Sequence, residues 1–359
     1  VSYIQSLLRG AGTRVNTYPI QVAALQKGVV DASTKLMAIF ILGDADIAYW
    51  DLYAARKDLD VRREQYKLAQ DQLEHARRKV ASGSAAKIEI VRAEAGLAGR
   101  FEDVINAETG VRDRERDLKR IMNRPDLPVN SPTGIIPLTE PDPRGLDLDP
   151  ERLVEAALAN RMEMAQLELN LALDDIDVEL ARNDKLPRLT FEYSYAAGGQ
   201  SRRVGSALES IFDGPSEDHT VGLSTLIPLG NRAAEARFRQ ARLQRVRTQI
   251  SQEQLRQRIR QQVYQAVDGL QQNWRRILAA DQGTVAAYRD YKVEQSQFQL
   301  GVRTSTDVLL AASRLADAQL RRIRAFAEYE IAQVRLAGAT GTLLGHGCIQ
   351  LEPVVLEGK

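Results

Sequence analysis

Apolar positions recur through most of this chain at alternating spacings of four and three. Ala48, Leu52, Ala55, Leu59, Arg62, Tyr66, Ala69, Leu73, Ala76 and Val80 keep that rhythm. Such a seam marks a helix packed lengthwise against another, and its alanines allow close approach. Arg62 is the misfit. Residues 14–81 contain one proline, Pro19, and read as one helix of ~100 Å at about 1.5 Å per residue. Ser82-Gly83-Ser84 breaks it with residues suited to a tight turn. A second helical run, about Lys87 to Asn123, carries Leu97, Phe101, Val104, Val111 and Leu118, interrupted by Glu108 and Glu115. Two long helices around a short turn predict an antiparallel hairpin.

The pattern then returns. Ile259, Val263, Ala266, Leu270, Asn273, Ile277, Ala280, Thr284, Ala287, Tyr291, Glu294 and Phe298 alternate four and three. The turn is Gly301-Val302-Arg303-Thr304, and Ala311, Ala318, Ala325, Ala332 and Ala339 follow, one every seven residues. A shift of 218 positions lays Gly83 on Gly301, Glu89 on Asp307, Ile90 on Val308 and Ala93 on Ala311. The hairpin is an internal duplication.

Between the hairpins the period changes. Seven of the twelve prolines fall at 125, 128, 132, 137, 141, 143 and 150, where helix cannot persist. Asp149-Pro150 then opens a helix read as running to Asp184. Leu189, Phe191, Tyr193 and Tyr195 alternate with Thr190, Glu192, Ser194 and Ala196, a strand with one aromatic face. A loop, Ala197 to Asp218, leads to a second strand with Val221, Leu223, Thr225 and Ile227 as its outer row. Pro228 and Gly230 end it. Ser2 to Leu8 reads as the partner of that second strand, and it too enters a helix after Gly10 and Gly12.

Composition narrows the function. The 49 basic and 48 acidic side chains nearly cancel, which disfavours a dedicated nucleic-acid binder. The single cysteine, Cys348, cannot form an intrachain disulfide, and His75, His219 and His346 are scattered. No metal, cofactor or catalytic constellation is expected. The longest apolar stretch, Leu36 to Gly43, is too short for a spanning helix, so a membrane crossing would need strands. Gly338-Ala-Thr-Gly341 and Gly345-His-Gly347 lack the strand and lysine of a phosphate loop and read as a helix end.

These features together resemble the TolC-type outer membrane efflux protein family. The matching pieces are Ser6-Leu7-Leu8-Arg9-Gly10, Leu226-Ile227-Pro228-Leu229-Gly230, Val80-Ala81-Ser82-Gly83 and the run from Leu300 to Leu309. The resemblance implies a mainly α fold with a small membrane β portion: duplicated helical hairpins plus strands of a trimeric transmembrane β-barrel. It divides the chain into a membrane strand (1–12), the first tunnel hairpin (13–123) and an irregular equatorial segment with a short helix (124–160). A helix (161–187) and two membrane strands with an extracellular loop (188–230) follow. The second hairpin (231–342) and a tail near the equator (343–359) complete it. The family contributes four strands per protomer; three are visible here, and the first strand with its preceding helix would lie before Val1.

The implied role is a passive duct, not an enzyme, in the outer membrane of a Gram-negative bacterium and extending into the periplasm. Its partners would be two further copies, a periplasmic adaptor, an inner-membrane transporter and the lipid bilayer. Gly83, Ser84, Ala85, Ala86, Gly301, Val302, Arg303 and Thr304 would dock the adaptor. Glu89 and Arg303 match a pair that bridges hairpins, and Asp307 matches an acidic ring in the pore. Leu310 stands where some members carry a second acid, and Phe298 where a tyrosine hydroxyl can assist closure. A periplasmic coiled-coil adaptor or a structural scaffold is the alternative; two hairpins with strands between them disfavour the first, and Phe191-Tyr193-Tyr195 the second.

Overall fold

The structure, a computed structural model, describes residues 1–198, 216–300 and 302–346. In chain order it contains β1 (Ser2–Ser6), α1 (Thr13–Ala81), α2 (Ile88–Met122), α3 (Pro150–Asn160), α4 (Met162–Asn183), β2 (Arg188–Gly198), β3 (Ser216–Leu226), α5 (Arg232–Gln299), α6 (Ser305–Thr340) and the short α7 (Leu343–His346). Two compact units form, one from Val1–Thr34 with Met162–Gln257, the other from Lys35–Arg161 with Arg258–Lys359. Among the described residues, no helix is long and apolar enough to cross a membrane.

The first unit holds a three-stranded antiparallel sheet in the order β1-β2-β3. The N-terminal strand therefore does not pair with the second strand, as the sequence suggested; it adds to the other edge of β2. Alternation fixes which side chains share a face but not which strand is the neighbour. The hairpin occupies one edge of β2, and β1 takes the remaining one. Register aligns Tyr3 with Tyr193 and Gln5 with Phe191 on one side, Val221 with Tyr193 and Leu223 with Phe191 on the other. One face is thus aromatic and aliphatic, with Val221 and Leu223 both more than two-thirds exposed. The opposite face carries Ser2, Ser194 and Thr220 in one row and Ser6, Thr190 and Ser224 in another.

The strands also run beyond the expected loop boundaries, since Ala197 pairs with Glu217 and Gly198 with Ser216. Backbone pairing propagates there, helped by Tyr195 donating its hydroxyl to Glu217. Hydrogen bonds tie the sheet's base together. Gly10 N–H donates to Asn183 Oδ1 at 2.8 Å, and Asn231 Nδ2 to the Lys185 carbonyl at 2.9 Å. Gly10 and Gly12 adopt positive φ, which only glycine takes without strain.

The second unit contains the hairpin cores. Ala48, Leu52 and Leu59 of α1 meet Val104, Val111 and Leu118 of α2, with Tyr66 and Ala55 alongside. Arg62 is the seam's misfit because it is an ion-pair position: it reaches Asp58 and, across the hairpin, Asp103 at 3.2 Å. Glu108 and Glu115, which interrupt the apolar spacing of α2, pair with Arg63 and Arg56 of α1. Arg77–Glu94 continues the same antiparallel register. In the second hairpin Ile259, Val263, Leu270 and Ile277 are buried, as are Ala311, Ala318, Ala325 and Ala332. Asp290–Arg314, Asp281–Arg322 and Arg276–Glu328 flank that seam. Burial on α6 extends beyond one heptad stripe to Ala312, Ala316, Ala327 and Tyr329. Val61 of α1 joins Ala316 and Leu320 in a further core cluster, so α6 packs on both hairpins.

The proline-rich segment lies on these helices without regular structure. Buried Lys119 donates to the Ser131 carbonyl at 2.8 Å, Ile135 N–H to Glu115, and Thr139 N–H to the Tyr49 hydroxyl. Further on, Tyr329 donates its hydroxyl to the Arg144 carbonyl, and Gly145 lies against the Trp274 ring. Asp149 caps α3 and Pro150 occupies its first turn, as expected. The helix that local pattern read from Asp149 to Asp184 is broken at Arg161, extended at φ −71° and ψ 128°, which is where the family resemblance divided a short helix from the next one. Gly341, the left-handed cap that ends α6, approaches this break so closely that a Cβ would stand 3.1 Å from the Asn160 carbonyl carbon. A backbone-to-backbone contact of this kind leaves no mark on local sequence.

Candidate gate and docking tips

The hairpin turns are built by local rules. After α1, Ser84 N–H closes on the Lys79 carbonyl at 2.8 Å and Gly83 takes φ +74°. Ser82 and Ser84 hydroxyls sit 3.0 Å apart, Ala85 is half-buried and Ala86 exposed. At the second turn Gly301 and its expected role lie outside the described residues. Val302 N–H reaches the Gln297 carbonyl, and its side chain is 72 % exposed. Thr304 then caps α6 in a reciprocal box: its hydroxyl accepts from Asp307 N–H, while Asp307 accepts from Thr304 N–H at 2.9 Å. The Thr304 hydroxyl also donates to the Asp307 carboxylate at 2.8 Å, and the two bonds that the carboxylate accepts, backbone N–H first and hydroxyl second, hold it below its ordinary range. The pattern Thr-x-x-Asp was readable in the sequence as a helix start.

The two tips lie against each other within the second unit. A crevice there is lined by Ala69, Gln72, Glu89, Ala93, Ser305 and Leu309. Gln72 of α1 donates its amide to the Ser305 hydroxyl of α6. The Lys79 ammonium of α1 sits 3.7 Å above the ring centroid of Phe298 on α5. A Cβ on Gly96 of α2 would meet Leu309 at 3.3 Å, and Arg100 donates to Ser313 at 3.0 Å. None of these pairings is local, so no sequence spacing could reveal them.

Each charged candidate finds its partners on its own hairpin. Glu89 pairs with Arg92 one turn along α2, at 2.9 Å. Arg303 pairs with half-buried Glu294, at 3.3 Å, and with Gln297. Both Arg303 contacts stay within its own hairpin.

The sequence pattern of the outer membrane efflux protein family matches residues 153–342, more than half of the chain. The chain belongs to the outer membrane efflux protein family. Outer membrane protein TolC of Vibrio cholerae is similar at 23 % identity over 328 residues, covering 90 % of this chain and 70 % of that protein. Among solved structures, the fold is shared with outer membrane protein VceC of Vibrio cholerae at TM-score 0.75 and 17 % identity, covering 95 % of this chain and 78 % of VceC. It is shared likewise with the outer membrane channel CmeC of Campylobacter jejuni at TM-score 0.78 and 14 % identity, covering 95 % and 70 %.

As a member of the outer membrane efflux protein family, the chain is an outer membrane protein of channel type, and its named relatives are membrane proteins and channels. The family match spans α5 and α6 entirely, and so includes Arg303, Asp307 and the second turn. Glu89 and the first turn lie outside that matched stretch, and their place beside the family's second hairpin comes from the fold.

Proposed function

We propose that this chain is one protomer of a trimeric exit duct serving a tripartite efflux or type I secretion system. The observation that carries the reading is the tip-to-tip placement of two duplicated hairpins, on a chain whose sheet leaves an apolar face unpartnered. Three protomers, each supplying the four strands that the family resemblance implies, would close the sheets into a barrel, removing their free edges and satisfying their backbone groups within lipid. The Phe191, Tyr193, Val221 and Leu223 face would meet acyl chains, and the Ser/Thr face would line water. Residues 124–160 and 343–359 would form the belt around the tunnel.

The hairpin tips would be the periplasmic end. Gly83, Ser84, Ala85, Ala86, Gly301, Val302, Arg303 and Thr304 present mostly short side chains for a periplasmic adaptor. Glu89, Arg303 and Asp307 supply the charge at the narrow end, Asp307 favouring cations. A Glu89–Arg303 bridge would have to displace Arg92 and Glu294 from their present pairs. The duct itself is passive, and an inner-membrane transporter supplies the energy. Purified protein in planar lipid bilayers should give discrete, cation-preferring steps, and Gly83 or Gly301 replaced by a bulky residue should abolish export while protein stays in the membrane. Protein carrying all four expected strands that remains a freely soluble monomer and never conducts would overturn the proposal.

A further inference from the structure

We propose that His219 and Glu217 form a binding site for a divalent transition-metal ion of the zinc class. The site lies on the aromatic face of the sheet, at the end of β2 and β3 remote from α4 and α5. It goes beyond the duct reading and needs only the sheet.

Strand geometry brings the two ligands together. Residues two apart on a strand share a face, so Glu217 and His219 of β3 point the same way. Pairing sets His219 opposite Tyr195 of β2, with Tyr193 one rung further along that face. Glu217 Oε2 stands 3.8 Å from His219 Nε2, and the two side chains are 52 % and 53 % exposed, so an ion has access. The separation is too long for a hydrogen bond. It suits two ligands of one metal: nitrogen and oxygen donors sit at about 2.0–2.2 Å from zinc, so donors up to about 4 Å apart can share an ion.

The second atom of each ligand is already engaged. Tyr195 donates its hydroxyl to Glu217 Oε1 at 3.2 Å, and the Tyr193 hydroxyl lies 2.9 Å from His219 Nδ1. With Nδ1–H donating to the Tyr193 oxygen, Nε2 keeps its lone pair and faces Glu217 Oε2. Two acceptors aimed at one point repel each other unless a cation stands between them. Metal-binding histidines are held in this manner, through the nitrogen that does not touch the metal. The tyrosine rings also flank the imidazole, with centroids 5.1 Å and 6.2 Å away, and set its plane. Among the described residues no lysine or arginine bridges Glu217.

Chemistry narrows the ion. Among the described residues no three or more His, Cys, Asp and Glu side chains gather, so this site has two protein ligands and water fills the remaining positions. Imidazole with carboxylate suits zinc, copper and nickel. Calcium and magnesium take all-oxygen sets and are disfavoured. A bound ion would clasp Glu217 to His219 and, through the tyrosines, steady the ends of both strands. Sequence spacing does not disclose the site, because both supporting tyrosines come from the other strand.

The test is calorimetric titration of the full chain in detergent with Zn2+. The parent should bind one ion per chain at this site. His219→Ala and Glu217→Gln should each weaken that binding by about ten-fold or more, and Tyr193→Phe should weaken it by a smaller factor. His75→Ala, in another part of the fold, should match the parent. Independently, Zn2+ should slow amide exchange at residues 195–197 and 217–219 in the parent and leave it unchanged in His219→Ala. No Zn2+ binding by the parent would overturn the site. So would binding that His219→Ala and Glu217→Gln leave intact, or exchange at the strand ends that Zn2+ does not alter. A chain that conducts without binding Zn2+ keeps the duct and loses the site; one that binds Zn2+ without conducting does the reverse.

Discussion

At Thr304 and Asp307, four neighbouring atoms decide where α6 begins. The Thr304 hydroxyl and the Asp307 carboxylate each satisfy a backbone N–H that the first turn of a helix leaves without a partner. Replacing Thr304 with Ala should cost about 0.5–2 kcal/mol of tip stability, read as faster amide exchange at residues 304–308. The Asp307 contribution carries a pH signature. Its folded carboxyl titrates below the ordinary value, so its stabilisation is present above the unfolded titration and is lost as pH falls through the lower folded one. The extra exchange caused by Asp307→Ala at neutral pH should therefore shrink as pH drops below about 3.9. An Asp307→Ala effect that is the same at neutral and strongly acid pH would mean the carboxylate does not hold the cap.

The elements are long because their seams are continuous, and the seams tolerate charge because each intruding charge is paired. Arg56–Glu115, Arg63–Glu108 and Arg77–Glu94 recur at multiples of seven residues and fix the register of α1 against α2. Exposed pairs such as Arg63–Glu108 and Arg77–Glu94 contribute only about 0–1 kcal/mol each, so the buried leucines and valines stabilise the hairpin while the charges select its alignment. The irregular segment 124–149 follows a different logic. It has no core of its own and is held by hydrogen bonds donated or accepted by the helices beneath it. Tyr329, 1 % exposed, donates to the Arg144 carbonyl, and burial raises its hydroxyl's titration. Tyr329→Phe leaves that carbonyl without its partner and should cost about 1–3 kcal/mol. Hydrogen exchange should then speed up around residues 144–147 while the α1–α2 core stays protected; protection unchanged at 144–147 would show that the Trp274–Gly145 contact suffices.

At the scale of the molecule, the sheet is what separates an outer membrane protein from a helical scaffold. Its two faces differ sharply: Phe191 and Thr190 are neighbours in sequence and lie on opposite faces. In the proposed barrel, Phe191→Lys sets a cation against lipid and should cost about 2–4 kcal/mol near the bilayer midplane. Thr190→Lys faces water and should be tolerated. The readout is the fraction of protein recovered as membrane-embedded trimer, and equal recovery of both variants would argue against a lipid-facing Phe191.

The sequence by itself determined the hairpins, their duplication, the turn at Gly83, the start of α3 at Asp149-Pro150 and the two faces of the strands. Each depends on contacts within a few residues or on a repeated period, and such information is written locally. It also placed the candidate residues at the ends of the long helices, beside the two turns. Tertiary structure alone decided which edge of β2 receives β1 and which residues meet between the two hairpin tips, Gln72 with Ser305 and Lys79 with Phe298. The break at Arg161 is met by Gly341, 180 residues away in sequence. Arg303 and Glu89, which the family resemblance would pair with each other, each have a partner on their own hairpin. Charge and period constrain what a residue can do; which neighbour it meets depends on how separate helices come together, and that is set by packing over the whole unit.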